Sequence, residues 1–343
     1  MDMASTEVPG PVVVPGFDTG RTQAIAGAAS PGGGTSAGLG RLAAPKVLAG
    51  ARVEWGTLGL MVGCYAVWAA GLWLLWPVAP VLAVIVTAVA LGFHSSLTHE
   101  ALHGHPFRSE VANELTVAAA LAVVFPYRRY RDQHLAHHND PLLTDPYDDP
   151  ESNFLDPDKW AVMPRWKQVL FQWNNTLLGR IVIGPWIGTA MFLQGDWRLI
   201  RAGDRTVIQA WLLHIPAMIL VLGLVALSPM PFWAYGLAIW AGLGLMKIRT
   251  YLEHRAHEKH RARTAIVEDR GPLAWLFLYN NLHVVHHQHP AVPWYQLPAL
   301  YERSGERYRG MNEAYVYRSY GEVFRRYLVR AKDSVPHPLW RSR

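Results

Sequence analysis

Two long stretches of the chain contain no charged side chain. They run from Trp55 to His99 and from Thr206 to Met246, over 45 and 41 residues. As single helices they would extend roughly 60–70 Å, about twice the ~30 Å hydrocarbon core of a bilayer. Each stretch has a proline-rich break near its middle, at 76–80 and 228–231, and proline ends or kinks a helix. The pattern predicts two helical hairpins with four membrane spans, at about 55–76, 80–99, 207–228 and 231–248.

The segments outside these runs predict the remaining architecture. Residues 1–50 are rich in Gly, Ala and Pro and cannot bury a core, so we expect a disordered tail before a single domain at 51–343. The apolar segments Leu115–Tyr127 and Ile181–Gly195 are short for a membrane crossing, and we expect interfacial or packed helices there. The predicted fold is all-α, an integral membrane protein with a cytoplasmic helical cap.

The distribution of charge predicts the orientation. All 32 Lys and Arg residues lie outside the two charge-free runs, and neither hairpin tip carries one. By the positive-inside rule, both termini and the segment between the hairpins are cytoplasmic, as in a multi-pass protein of a bacterial inner membrane. Basic patches at 128–131 and 255–263 fit a membrane surface or an acidic partner, and they give no reason to expect nucleic-acid binding. The single cysteine, Cys64, excludes a disulfide scaffold and a cysteine-based metal site.

Histidines carry the candidate chemistry. Fourteen of the 16 lie in four short clusters on the predicted cytoplasmic side. Spacings of i, i+3 and i+4 place imidazoles on one side of a helix, one turn apart. Neutral imidazole suits iron, zinc and copper, and one tetrahedral zinc uses four ligands, so this many histidines fit two ions. The spaced sets are His99 with His103, His134 with His137 and His138, and His283 with His286 and His287, and a further cluster begins at His254.

These sets resemble the three histidine boxes of the membrane fatty acid desaturase and hydroxylase superfamily. The boxes read His99-Glu-Ala-Leu-His103, His134-Leu-Ala-His137-His138 and His283-Val-Val-His286-His287, and the resemblance extends from about Trp55 to Leu300. It implies a non-haem di-iron centre that uses O₂ and two external electrons to attack an unactivated C–H bond. In that superfamily a further histidine between the second and third boxes often completes the ligands. The predicted metal ligands are His99, His103, His134, His137, His138, His254, His283, His286 and His287.

Two positions stay open in this ligand set. His257 is the alternate to His254 for the additional histidine. His94 and His99 have the His-x₄-His spacing that acyl-CoA desaturases use in their first box. We prefer His99 with His103, because residues four apart share a helical face and residues five apart share it poorly.

Polar residues near the boxes are candidates to accept the second ring N–H of a ligand and so fix its tautomer. For the acidic, proline-rich run at 140–151 a solvated cytoplasmic loop is favoured, and support of the nearby site is the alternative. Each candidate lies within a few residues of a predicted ligand in the sequence. They are Glu100, Asp132, Asn139, Asp140, Glu253, His257 and Asn281.

The electrons are expected to come from another protein. The sequence contains no flavin or nicotinamide fingerprint, and a lone cysteine cannot hold a rubredoxin or ferredoxin centre. The expected partner is a separate donor of the ferredoxin, rubredoxin or cytochrome b5 type, with its reductase. The expected substrate is a lipid acyl chain in the membrane.

Several functions compete at this point. A fatty acid desaturase, acting on an acyl-lipid or acyl-thioester to introduce a C=C bond, is favoured over a hydroxylase or ketolase of a fatty acid, alkane or carotenoid. His99-Glu100-Ala-Leu-His103 is also a literal His-Glu-x-x-His motif, so an intramembrane zinc metalloprotease is a rival. That rival leaves the histidines of the other boxes unexplained. A metal transporter would favour ionisable groups inside the spans, and both hairpins largely lack them.

Overall fold

A computed structural model of the chain describes residues 53–140 and 142–340. The predicted tail at 1–50 lies outside the described residues. The described chain is predominantly helical, as predicted, with one pair of two-residue strands. In chain order the helices are α1 (Trp55–Ala70), α2 (Pro80–Leu102), α3 (Glu110–Val117), α4 (Tyr127–Asn139), α5 (Pro157–Ala161), α6 (Arg165–Asn174), α7 (Leu177–Val182), α8 (Gly184–Arg201), α9 (Arg205–Leu227), α10 (Phe232–Thr250), α11 (Pro272–Leu276), α12 (His283–Gln288), α13 (Leu297–Met311) and α14 (Tyr320–Tyr327).

Both charge-free runs fold as helical pairs that are interrupted at the predicted prolines. A π-helical turn, Gly71–Leu75, extends α1, and the chain reverses before Pro80 begins α2. Proline suits that first helical position because its missing N–H would have no partner there. The second helix continues to Leu102, beyond the predicted end at 99, so His99 lies in its last turn and His103 follows it directly.

Three helices in the described part of the chain are long and apolar enough to cross a membrane: Trp55–Leu75, Pro80–Leu102 and Arg205–Leu227. The sequence predicted four. The fourth, α10, forms at the expected place, but Lys247 and Arg249 in its last turn and its many Gly, Trp and Tyr residues lower its mean hydropathy. The described chain therefore supports three spans by length and composition, with α10 packed beside them.

Close approach of α2 and α10 holds the helical layer together. A Cβ on Gly242 of α10 would lie 2.8 Å from the carbonyl oxygen of Ala88 and 2.9 Å from the Cβ of Leu91, both on α2. Because glycine has no Cβ, the two helices pack backbone against side chain at this point. The buried phenol of Tyr235 ties the layer to other elements, since it accepts from the indole of Trp68 and donates to the carbonyl of Leu121.

Of the two short apolar segments, Ile181–Gly195 is helical as predicted and Leu115–Tyr127 is not. Ile181–Gly195 divides between the end of α7 and the first two thirds of α8, which continues to Arg201. Leu115–Tyr127 does not form one helix, since α3 ends at Val117 and α4 begins at Tyr127. Ser109 caps α3 by accepting from the N–H of Ala112, and Pro126 precedes α4. Capping by Ser109 therefore sets where α3 begins, and Pro126 sets where α4 begins at the end of the apolar segment.

The C-terminal part of the chain wraps around the histidine-bearing helices. Strands β1 (Ile266–Val267) and β2 (Val316–Tyr317) pair in parallel. The final described segment, 328–340, which we call the C-terminal strap, crosses α7 and the loop before α5. Leu178 donates its N–H to Leu328, and Leu155 exchanges backbone hydrogen bonds with Val335 and His337. The strap thus holds residues 142–156 against the rest of the fold.

Candidate metal centre

The nine predicted ligands come together from three helices and one loop. Two lie at the end of α2, three on α4 and three on α12. His254 lies in a loop four residues after α10 ends. Their imidazoles form two groups, and within each group one nitrogen per ring lies within 4.8 Å of the others. The five-histidine group is His99, His103, His134, His138 and His286, and the four-histidine group is His137, His254, His283 and His287.

Helices α4 and α12 each contribute histidines to both groups. On α4, His134 and His138 join the five-histidine group while His137 turns to the other. On α12 the arrangement is reversed, because His283 and His287 join the four-histidine group while His286 turns away. Residues four apart are separated by about 40° around a helix, whereas an intermediate residue lies well to one side. The His-x-x-His-His spacing therefore supplies one pair to one group and one single ligand to the other.

Three of the rings are held by their Nδ1 atoms. The Nδ1 of His134 lies 2.7 Å from Oε1 of Glu151, and that of His137 lies 2.7 Å from Oδ1 of Asp149. The Nδ1 of His283 lies 3.0 Å from Oδ1 of Asn280. Ionised carboxylates only accept hydrogen bonds, so His134 and His137 carry a proton on Nδ1 and turn Nε2 inward. Hydrogen bonds of this kind fix the tautomer and orientation of metal-binding histidines.

The donor atoms fit metal cations. The Nε2 of His254 lies 2.9 Å from that of His137 and 3.2 Å from that of His283. The Nε2 atoms of His99 and His103 are buried without a hydrogen-bond partner. Neutral rings that aim several lone pairs at one point repel each other unless a cation lies among them, and imidazole nitrogen is a common ligand of iron and zinc. The structure thus contains two histidine clusters able to bind metal.

Electrostatics favour neutral, metal-binding imidazoles through most of the site. Burial, reinforced by His134 and His137, lowers the pKa of His138 to about 3. Burial also holds the pKa values of His283, His286 and His287 well below their ordinary range. Groups with such values are unprotonated at neutral pH and have a free lone pair.

His137 is the exception. Burial lowers its pKa, but Glu151 and Asp149 outweigh that effect and raise it to about 9. Burial alone would raise the pKa of Glu151, and the neighbouring His134 and His137 instead lower it. Metal binding at His137 therefore competes with protonation of its ring.

A buried ion pair anchors α4, which contributes three of the ligands. Both Nε and Nη2 of Arg129 donate to the carboxylate of Asp196 on α8, at 2.8–3.1 Å. The indole of Trp211 on α9 donates to the same carboxylate at 2.8 Å. Because both partners are buried and the charges are paired, removing one would leave an uncompensated charge. This contact fixes α4 against the helices behind it.

The described hydrogen bonds to the ring Nδ1 atoms come from residues other than the predicted candidates. Glu253 comes closest among the candidates, since its Oε1 lies 3.8 Å from Nδ1 of His283, and it pairs mainly with Arg249 at 2.8 Å. The other predicted residues make their described hydrogen bonds elsewhere. Glu100 accepts from the N–H of Trp294, Asp132 pairs with Arg131, Asn139 and Asn281 donate to backbone carbonyls, Asp140 accepts from the N–H of Leu142, and His257 pairs with Glu313.

Asp149, Glu151 and Asn280 take that role instead. The acidic run at 140–151 was expected to be solvated, but Asp149 is 2% exposed and both its oxygens are used, one by His137 and one by the N–H of Thr144. Asn280 precedes His283 by three residues, a spacing that sequence reasoning had available. Asp149 and Glu151 lie 12 and 17 residues from the rings they hold, and only the folding of the loop brings them there.

The two open alternatives lie outside the groups. His94 faces away along α2, where its Nε2 lies 3.0 Å from the hydroxyl of Tyr65. His257 pairs with Glu313 at 3.1 Å. The grouping of His99 with His103 follows the i, i+4 spacing, and His254 rather than His257 enters the four-histidine group.

Comparison with known proteins agrees with this geometry. The family model described as fatty acid desaturase matches residues 71–319. A beta-carotene ketolase of Paracoccus sp. (strain N81106 / MBIC 01143) is 28% identical over 256 residues, which cover 69% of this chain and 88% of the relative. A beta-carotene ketolase of Paracoccus sp. (strain PC1) is 27% identical over 267 residues, covering 72% and 93%.

The family match contains every histidine of both groups and the residues that hold their rings. It also covers most of the chain, including the second membrane helix and the pair formed by α9 and α10. The chain is a membrane protein and belongs to the fatty acid desaturase family, whose members are oxidoreductases of the desaturase and hydroxylase superfamily.

Proposed function

We propose that this protein is an O₂-dependent di-iron oxygenase that introduces keto groups into a carotenoid ring. The observation that carries the proposal is the extent of the similarity to two beta-carotene ketolases, which includes 88% and 93% of their lengths. The two matches take in 69% and 72% of this chain, so the similarity is not confined to one short motif. The fatty acid desaturase that the sequence alone favoured has only the family-level match in its support.

The residues of this chain supply the ligands and their orientation. When bound, two irons in such an imidazole set supply the O₂-dependent attack on an unactivated C–H bond that this superfamily performs. We assign His99, His103, His134, His138 and His286 to one ion and His137, His254, His283 and His287 to the other. Asp149, Glu151 and Asn280 keep the Nδ1 protons in place so that the Nε2 atoms stay available.

A wall of aromatic rings that packs against α2 suits a cyclic hydrocarbon. Trp294 stacks on Tyr279, with ring centroids 6.1 Å apart and planes at 17°, and packs edge-on against Trp275. Trp275 in turn stacks on Phe93 of α2. The backbone N–H of Trp294 donates to Glu100, which follows His99 in the sequence, so these rings are tied to the last turn of α2. Flat apolar surfaces of this kind pack well against a ring with methyl substituents.

The proposed reaction balances only with an external reductant. Converting a ring CH₂ to C=O takes two rounds of oxidation, and each round consumes one O₂, two electrons and two protons and yields water. The second round gives a carbon with two hydroxyls, which loses water to become the ketone. The electrons come from a separate one-electron carrier of the ferredoxin, rubredoxin or cytochrome b5 type, and the site is proposed to face the cytoplasm, where such carriers operate.

Expression in a bacterial host that accumulates β-carotene tests the reaction. We expect new carotenoids in which each oxidised methylene has gained one oxygen and lost two hydrogens, with the oxygen derived from labelled O₂. His286→Ala should abolish the products, because it removes a ligand of the five-histidine group. His260→Ala is the matched control, since His260 is an exposed histidine outside both groups and should leave the products unchanged.

The alternative functions predict different results in the same cells. Unchanged carotene with new double bonds in membrane acyl chains would replace the ketolase by a desaturase. Products that stop at the alcohol would indicate a hydroxylase. Elemental analysis of the purified protein separates the remaining rivals, because the proposal requires about two irons per chain and a metalloprotease would hold about one zinc.

A further inference from the structure

The least rigidly supported member of the nine is His254. The other eight lie on a helix or directly at its end, so the backbone hydrogen bonds of that helix place them. His254 lies in a loop, and its Nδ1 is buried without a hydrogen-bond partner. Its ring is therefore not fixed in the way that Asp149 fixes His137. Something else must determine where its Nε2 points.

The backbone of His254 is held from two sides. On one side it forms an isolated antiparallel bridge with Thr264, through hydrogen bonds made by the residues that flank His254. That bridge leaves the carbonyl of His254 itself available. On the other side, Nζ of Lys332 donates to this carbonyl at 2.7 Å. A charged donor makes this a strong hydrogen bond in a buried site.

Each N–H donor of the Lys332 ammonium group has an acceptor. Its side chain is 7% exposed, and its three N–H donors meet the carbonyl of His254, the hydroxyl of Tyr315 at 2.9 Å and the carboxylate of Asp333 at 2.7 Å. Tyr315 donates onward to the carbonyl of Leu252 at 2.8 Å. The ammonium group and the phenol thus hold the backbone carbonyls on both sides of Glu253, at His254 and Leu252.

The same strap also supports the partner of His137. Backbone hydrogen bonds join Leu155 to Val335 and His337, and the side chain of His337 contacts the hydroxyl of Thr144 at 3.1 Å. Thr144 donates its N–H to Asp149. His254 and His137, whose Nε2 atoms lie 2.9 Å apart, are therefore both braced by residues of the C-terminal strap.

We infer that Lys332 is a positioning residue of the four-histidine group: by holding the carbonyl of His254 it aims the Nε2 of that ring at the metal, and the C-terminal strap is part of the metal centre. The inference rests on the proposed metal site. Lys332 lies more than 70 residues after His254 in the sequence. The inference predicts that it affects the binding of only one of the two ions. The five-histidine group has no contact with Lys332 among the described hydrogen bonds and ion pairs.

Cobalt(II) titration of metal-free protein in detergent tests the inference without relying on activity. Wild type should bind two ions per chain, with visible absorption from both. Lys332→Met removes the donor and keeps a similar chain length, and it should weaken one of the two ions by about 10–100-fold, as removal of outer contacts to ligands generally does. The other ion should bind as in wild type. Lys332→Arg retains a charged donor and should recover most of the lost affinity.

Arg330→Met is the matched control, because Arg330 is an exposed cation on the same strap. It should bind two ions with wild-type affinity. If Lys332→Met also gives the wild-type titration curve, the inference is wrong although the proposed function stands. If wild type itself does not bind two ions, the proposed function is wrong, and that result is distinct from a failure of the inference about Lys332.

A variant that simply unfolds would lose both ions together with its helical circular dichroism. In that event Lys332→Gln decides, because it removes the ammonium group and keeps a polar side chain in the buried position. A selective weakening of one ion in Lys332→Gln supports the inference, and two unchanged ions overturn it.

Discussion

The two histidine groups are built by different means. The five-histidine group takes every ligand from the ends or faces of helices, and one of its rings, His134, is held by a carboxylate that is 27% exposed. The four-histidine group includes a loop residue, His254, and its His137 is held by the buried Asp149. The first group depends on helical periodicity, and the second depends on how loops from three parts of the chain are folded over it.

This difference shows which contacts fix the direction of a ligand side chain. A helix fixes its side-chain directions by backbone hydrogen bonds over a few residues, so it can present ligands with little help from outside. A loop ligand requires contacts from elsewhere, here from the strap and from the loop that carries Asp149. We therefore expect the four-histidine group to be more sensitive to distant substitutions.

Removal of a ligand should have the largest effect. His99→Ala and His283→Ala each delete one imidazole, from the five- and the four-histidine group respectively. Both should abolish turnover, because the proposed reaction needs both ions. Metal analysis should differ between them, with each variant losing the ion of its own group and retaining the other. Loss of both ions from either variant would contradict the division into two groups.

Replacement of the ring-holding carboxylates should have an intermediate effect. Asp149→Asn and Glu151→Gln keep one acceptor oxygen but remove the negative charge that makes the ring nitrogen more basic. We expect about 10–100-fold weaker metal binding for Asp149→Asn, confined to the four-histidine group. Glu151→Gln should cost less, because its carboxylate is partly exposed to water. Competition with a coloured chelator measures both, and equal losses would show that burial does not distinguish the two carboxylates.

Disturbance of the helix seam should have the smallest effect on metal binding. Gly242→Ala places a methyl group against Ala88 and Leu91 and should reduce stability by about 1–3 kcal/mol, as overpacking does. Gly236→Ala on the same helix is the matched control, since no atom lies within 4 Å of its added Cβ. The midpoint of thermal unfolding in detergent should fall for Gly242→Ala alone. A similar fall in both variants would show that the effect is not specific to the seam.

Much of this architecture could be predicted from local sequence. The charge-free runs and their prolines predicted two helical pairs, and the pairs are present, although α10 does not reach the hydropathy of the other three. Leu115–Tyr127 was predicted less well, because apolar composition does not reveal that Ser109 and Pro126 position the helices around it. The composition of a long segment indicates whether it lies in the membrane, whereas single residues determine where each helix begins.

For the site, the sequence by itself determined which histidines can share a helical face, because that depends only on a 3.6-residue period. Only the tertiary structure decided which group receives the pair of histidines from α4 and which receives the pair from α12. It also decided that Asp149 and Glu151 hold rings on α4 and that Lys332 grips the loop of His254. Such contacts join residues 12 to 78 positions apart, and no periodicity spans that distance, because the chain between them folds according to its own packing.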